Sequence, residues 1–211
     1  RTFYPAFFLF SALAGQISDR YEKAMLIRRI KIAEIIIMAG AALAFYFNNI
    51  IALLFLLFLM GAQSTFFGPV KYSIIPQHLE HDKIVGGNAL VGMGTFIAIL
   101  LGTITGGVII VERGDLLIGI ILCVVAICGW LASCFIPDAP SNTPHIKLDL
   151  NPLIQTWKTI GYARKNRSVF FSVLGVSWFW FLGSAYLTQI PNFTKEVLKG
   201  DGSVVVLLLS M

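Results

Sequence analysis

Long apolar runs alternate with short polar interruptions along the whole chain. Thr2–Ser18, Ile50–Val70, Ile84–Val111, Leu116–Pro137 and Ser168–Thr194 carry no charged residue. Ile35–Phe47 is shorter but extends back past Glu34 to Ile32, and Gly202–Met211 opens a further run. A helix that crosses a bilayer needs about 20 predominantly apolar residues. The pattern therefore predicts an all-α integral membrane protein with six complete transmembrane helices and the start of a seventh. A soluble fold with six such segments would have little polar surface left to meet water.

The interruptions are short and polar. Asn48-Asn49 separates the second and third runs, and asparagine tolerates tight turn geometry. Glu112-Arg113-Gly114-Asp115 separates the fourth and fifth. The stretch from Asp138 to Arg167 is the longest, and opens with DAPSNTP, whose prolines stop a helix. Within it, Asn151-Pro152 fits a cap followed by proline at the first helical position. Leu153, Ile154, Trp157 and Ile160 then recur at helical spacing beside Lys158, Arg164 and Lys165. This segment is either an amphipathic helix on the membrane surface or a helix packed on the ends of the bundle.

Composition agrees: 57% of the 211 residues are hydrophobic and 13% charged, against about 25% charged in ordinary soluble domains. The net charge of +5 matters less than its placement. Alternate interruptions fall into two sets. Asp19–Lys31, Lys71–Lys83 and Asp138–Arg167 hold twelve of the 16 basic residues, leaving Arg1, Arg113, Lys195 and Lys199 for the other side. Cytoplasmic loops carry the excess of lysine and arginine, so the first set is expected in the cytoplasm and nucleic acid is not an expected partner. The first run then enters from outside, which implies at least one helix before Arg1. Both ends read as truncated. Cys123, Cys128 and Cys134 lie in one apolar run without ligand spacing and read as small apolar residues.

The most specific segment is GQISDRYEK, Gly15–Lys23, directly after the first run. It resembles the signature loop of the major facilitator superfamily, G-x-x-x-D-R-x-G-R/K-R/K, with Gly15, Asp19, Arg20 and Lys23 matching and Glu22 standing where the pattern has glycine. The resemblance implies that the visible runs are helices two to seven of that fold and that the long interruption joins its two halves. Residues 1–137 would then be the first helix bundle without its first helix, 138–167 the cytoplasmic linker, and 168–211 the start of the second bundle. It also implies that Asp19 is the carboxylate of a cytoplasmic gate latch supported by Arg20 and Lys23. A basic topogenic loop is the plainer alternative.

A narrower resemblance rests on QSTFFGPVKYSIIPQHL, Gln63–Leu79, and VGGNALVGMGTFIAILLGTITGG, Val85–Gly107. These are similar to the lysophospholipid transporter branch, whose members stand alone or are fused to acyltransferase and synthetase domains. The implied function is movement of a lysophospholipid such as lysophosphatidylethanolamine to the inner leaflet of a bacterial cytoplasmic membrane, by alternating access. The expected partners are the membrane, an amphipathic substrate and, where present, an acyltransferase or a fused acyltransferase domain. Competing expectations are a general porter for drugs or metabolites and the transport region of a fused enzyme. A channel fits less well, since no ring of charges or filter sequence occurs.

Individual residues leave alternatives open. Gly68-Pro69 predicts a helix break near the cytoplasmic end of a span, of the kind tolerated where it lines a cavity. Lys71 either meets a phosphate as a point charge or snorkels to the interface. Asn88 and Thr95 are cavity liners or interhelical hydrogen-bonding groups. Gly102 and Gly106 form a small-xxx-small face that suits close helix packing better than substrate contact. Glu34, the one carboxylate within the runs, is placed about one turn from a cytoplasmic end. It serves either coupling or headgroup binding, or else pairs with Lys31 at i,i+3. Phe7-Phe8, Phe66-Phe67 and Trp178–Trp180 are aromatic walls or lipid-facing belts. There is no P-loop, and His78, His81 and His145 lack an aspartate five residues on, so no catalytic residue, cofactor or metal is expected.

Overall fold

A computed structural model describes residues 4–112, 115–141, 143, 145, 151–200, 204, 205, 207 and 208; the side chains at 4–9, 108–112, 115, 116, 152 and 153 are outside that description. Phe7-Phe8 as aromatic walls and most of the Gly202–Met211 run therefore lie outside the described residues. Among the described residues the elements are all helical. In order they are α1 (Tyr4–Arg20), α2 (Lys23–Tyr46), α3 (Ile50–Ser73), a single turn α4 (Ile75–His78), a 3-10 turn (His81–Lys83), α5 (Ile84–Glu112), α6 (Asp115–Cys134), α7 (Pro152–Arg164) and α8 (Arg167–Glu196). Four stretches are long and apolar enough to cross a membrane: Ile50–His78, His81–Gly107, Leu117–Cys134 and Arg167–Glu196.

The α2–α3 turn follows its asparagines. Asn48 takes φ 50, a left-handed conformation that asparagine adopts more readily than most residues. The Asn49 side chain accepts the Ala52 amide at 3.0 Å and caps α3. Likewise α7 starts at Pro152, as its sequence predicts, and Asn166 caps α8 by accepting from Ser168 and Val169.

Two compact units are present. In the first, Arg1–Gly92 with Arg113–Pro152, α2 packs against α6 and α3, and α1 packs against α3. Ile27, Ile30 and Val70 are buried together, with Phe66, Phe67 and Ile136 against them. The α2–α6 approach is close at Gly119, where an added Cβ would lie 2.8 Å from the Ala42 Cβ and 3.1 Å from its Cα. In the second unit, Met93–Glu112 with Leu153–Met211, the Phe96 and Trp180 rings stack at 6.3 Å. Trp178, Phe179 and Trp180 are exposed on α8, and Trp157 on α7.

Two sequence expectations need correction. The basic stretch Asp19–Lys31 is not a loop: α2 begins at Lys23, and only Tyr21 and Glu22 separate it from α1. Long basic side chains can occupy the first turns of an interfacial helix because their heads reach water. Glu34 consequently lies 11 residues into α2, about 16 Å from Lys23 at 1.5 Å per residue, rather than one turn from an end. Second, α3 continues through Pro69. The interruption falls at Ile74, where Pro76 cannot donate the bond that would extend α3. A Cβ built at Gly102 or Gly106 meets no atom within 4 Å among the described residues, and the same holds at Gly15 and Gly68. Close approaches to a built Cβ include Gly119 and Gly40, the latter 3.0 Å from Leu56.

Candidate functional site at the α1–α2 loop

The Gly15–Lys23 loop is built from the end of α1, two linking residues and the start of α2. Glu22 is the N-cap of α2, its carboxylate accepting the Ala24 and Met25 amides. The same carboxylate accepts the Ala139 amide at 2.8 Å. The Lys23 amide returns a bond to the Ala139 carbonyl at 2.9 Å. Glu22 thus joins α2 to a segment 117 positions away.

That segment, the strap after α6, is held along its length. The Arg28 guanidinium donates to the Ile136 carbonyl at 2.9 Å and lies 3.8 Å from the exposed Asp138 carboxylate. Gln77 donates to the Pro140 carbonyl at 3.0 Å. Ser141 donates to the Asp19 carbonyl at 2.8 Å, and Thr143 donates there from both its amide and its hydroxyl. Ala139 is fully buried. Strap and loop form one hydrogen-bonded patch that ties α1, α2 and the end of α6 together.

Electrostatics favour an ionised Glu22. Burial works to raise its pKa, but the Ala139, Met25 and Ala24 amides and the Arg28 charge outweigh it, and the carboxyl lies below its ordinary value of 4.5. Lys23 is 0% exposed, and its Nζ finds no hydrogen-bond partner among the described residues.

The sequence-predicted residues distribute as follows. Asp19 is exposed in the last turn of α1, and its carboxylate makes no ion pair among the described residues. Arg20 lies over the Tyr21 ring at 5.6 Å. Gly15 is half-buried one turn earlier. Lys71, in the last turn of α3, lies over Tyr72 at 5.0 Å. Asn88 is exposed and Thr95 half-buried on α5. Glu34 is not part of this patch. It pairs with Lys31 at 2.8 Å, as its spacing allowed, and also accepts the Gln63 amide at 2.8 Å. Sequence reasoning missed Glu22, Arg28, Ala139 and Gln63 as members of these clusters. Glu22 alone gave a local signal, as an acceptor just before a helix; the partners at 136–143 are too distant along the chain to read.

With this geometry in place, comparison with known proteins adds the following. A family model described as Major Facilitator Superfamily matches residues 2–211. Lysophospholipid transporter LplT of Enterobacter sp. (strain 638) is 30% identical over 184 residues, covering 86% of this chain and 44% of the relative. The proteins of the same name from Citrobacter koseri and Escherichia fergusonii are 29% and 30% identical, with the same coverage. The chain spans under half the length of these curated relatives.

Proposed function

The chain belongs to the Major Facilitator Superfamily, and on that premise we propose that it is part of a secondary transporter that moves lysophospholipid to the inner leaflet of a bacterial cytoplasmic membrane. The observation that carries this reading is the similarity to proteins named as lysophospholipid transporters across 86% of the chain. The substrate is an amphiphile such as lysophosphatidylethanolamine, and the cycle is alternating access between two helix bundles. Six helices, α1, α2, α3, α5, α6 and α8, cross the bilayer on this reading, with the Gly15–Lys23 loop on the cytoplasmic side. Residues 1–137 belong to the first bundle, 138–167 link the two, and 168–211 begin the second.

The loop works as the latch of the cytoplasmic gate. Glu22 and the strap hold the backbone of Asp19 in place, while its carboxylate stays exposed to meet a cation or a helix N-terminus in one conformation and release it in the other. The test adds fluorescent lysophosphatidylethanolamine to spheroplasts carrying the full reading frame, and follows the fraction that albumin no longer extracts. The expected result is protein-dependent protection that falls at least tenfold in Asp19→Asn. A folded protein that protects no lysophospholipid would refute the reading.

A further inference from the structure

The seam between α2 and α3 has a polar end and an apolar end. On α2, Lys31, Glu34, Met38, Ala41 and Phe45 recur every three or four residues and share one face. On α3, Leu53, Leu57, Met60, Gln63 and Phe67 do the same. The two stripes meet at the polar end. Gln63 donates to Glu34 at 2.8 Å, and the Lys31 ammonium lies 4.9 Å from the Phe67 ring centroid. The Lys31 stem also lies along α6, with Cδ and Cε each 3.8 Å from a Cβ built at Gly129. One turn beyond Glu34 and Gln63 the seam opens into a groove of about 320 Å³, lined by Met38, Ala41, Phe45, Leu53, Leu57 and Met60 among other apolar side chains. Ligand pockets start at roughly 300 Å³, so the groove suits one acyl chain rather than two. Leu54, Leu57 and Met60 remain exposed on its flank.

An ion pair among apolar helices is costly and usually marks a function. Here the Lys31 and Glu34 side chains each keep 19% of their surface exposed, so the pair is not sealed inside the protein. They form a dipole that matches a zwitterionic headgroup: ammonium to Glu34, phosphate to Lys31 and the Gln63 amide. We infer that the α2–α3 seam is a subsite for a single-chain zwitterionic phospholipid, its headgroup at Lys31, Glu34 and Gln63 and its acyl chain in the groove. The inference rests on the lysophospholipid reading above and assigns it a place in the fold. The headgroup end points toward Lys23, and the chain end toward the Asn48-Asn49 turn. With the α1–α2 loop cytoplasmic, the headgroup lies on the cytoplasmic side of the chain, which runs on toward the opposite end of the span.

The test uses the full-length protein in phosphatidylcholine nanodiscs, with lysophosphatidylethanolamine bearing a photoreactive group on its chain. Adducts are expected on the peptides containing Met38 and Met60, displaced by unlabelled lysophosphatidylethanolamine. Labelling should fall at least fivefold in Glu34→Gln, in Lys31→Gln and with a lysophosphatidylglycerol probe, which has no ammonium. Leu57→Trp fills the exposed side of the groove without touching the ion pair, so it should reduce labelling even where the charge variants fold poorly. Labelling that ignores both Glu34→Gln and Leu57→Trp, or equal labelling by a two-chain probe, would overturn the subsite. If lysophospholipid movement persists in that case, the transport reading survives alone. Absence of any movement would remove both.

Discussion

Glu22 and Ala139 are joined by a hydrogen bond at the α1–α2 loop: the Ala139 amide donates to the Glu22 carboxylate at 2.8 Å, while the Ala139 carbonyl accepts from the amide of the next residue, Lys23, at 2.9 Å. The family pattern has glycine where this chain has Glu22. Glycine provides no side-chain acceptor, so both the cap of α2 and the anchor of the strap depend on this departure.

Replacing Glu22 with alanine is therefore expected to destabilise the first unit by roughly 1–3 kcal/mol, combining a lost N-cap with a lost charged hydrogen bond. Glu22→Asp should recover part of the loss. Thermal unfolding in detergent reads the order wild type, Glu22→Asp, Glu22→Ala, and limited proteolysis at residues 137–143 should accelerate in the alanine variant.

The pH dependence has a definite sign. The folded pKa of Glu22 is depressed below 4.5, so its contribution is present above that value and is lost as pH falls through the folded pKa. Melting temperature measured from pH 6 down to pH 3 should drop more steeply in wild type than in Glu22→Gln. Equal slopes in the two proteins would show that Glu22 is not the titrating group.

Two glycines should respond oppositely to alanine. At Gly119 the new Cβ would crowd Ala42 at 2.8 Å, and overpacking of this kind costs about 1–3 kcal/mol. At Gly106 nothing lies within 4 Å, and a helical Gly→Ala change there is expected to be neutral or to stabilise by up to about 1 kcal/mol. Paired melts of Gly119→Ala and Gly106→Ala decide this.

Lys23→Met should separate stability from transport. Removing a buried ammonium without a hydrogen-bond partner among the described residues should leave stability unchanged or raise it. A latch role predicts lysophospholipid protection reduced at least fivefold in a protein that melts no lower than wild type.

Much of the helical order was legible from sequence, because apolar runs of spanning length and asparagine or proline at their ends act locally. The Asn48-Asn49 turn and the α7 start at Pro152 are of that kind. The start of α2 was hidden because Arg28, Arg29 and Lys31 read as loop when charge is taken as the mark of a loop, although interfacial helices carry such residues readily. The strap was illegible for a different reason: Ala139 has no distinguishing chemistry, and its role comes from a backbone amide meeting Glu22 across 117 positions.

The two-residue link at Tyr21-Glu22 sets how α1 and α2 can travel. Two residues reach only about 7 Å when fully extended, and one of them is spent on a cap. The two helices therefore act as a stiff elbow, and a tilt imposed on either is passed to the other with almost no play. Lengthening the link with a few glycines would put slack in that joint, letting each arm swing alone while every residue of both stays in place.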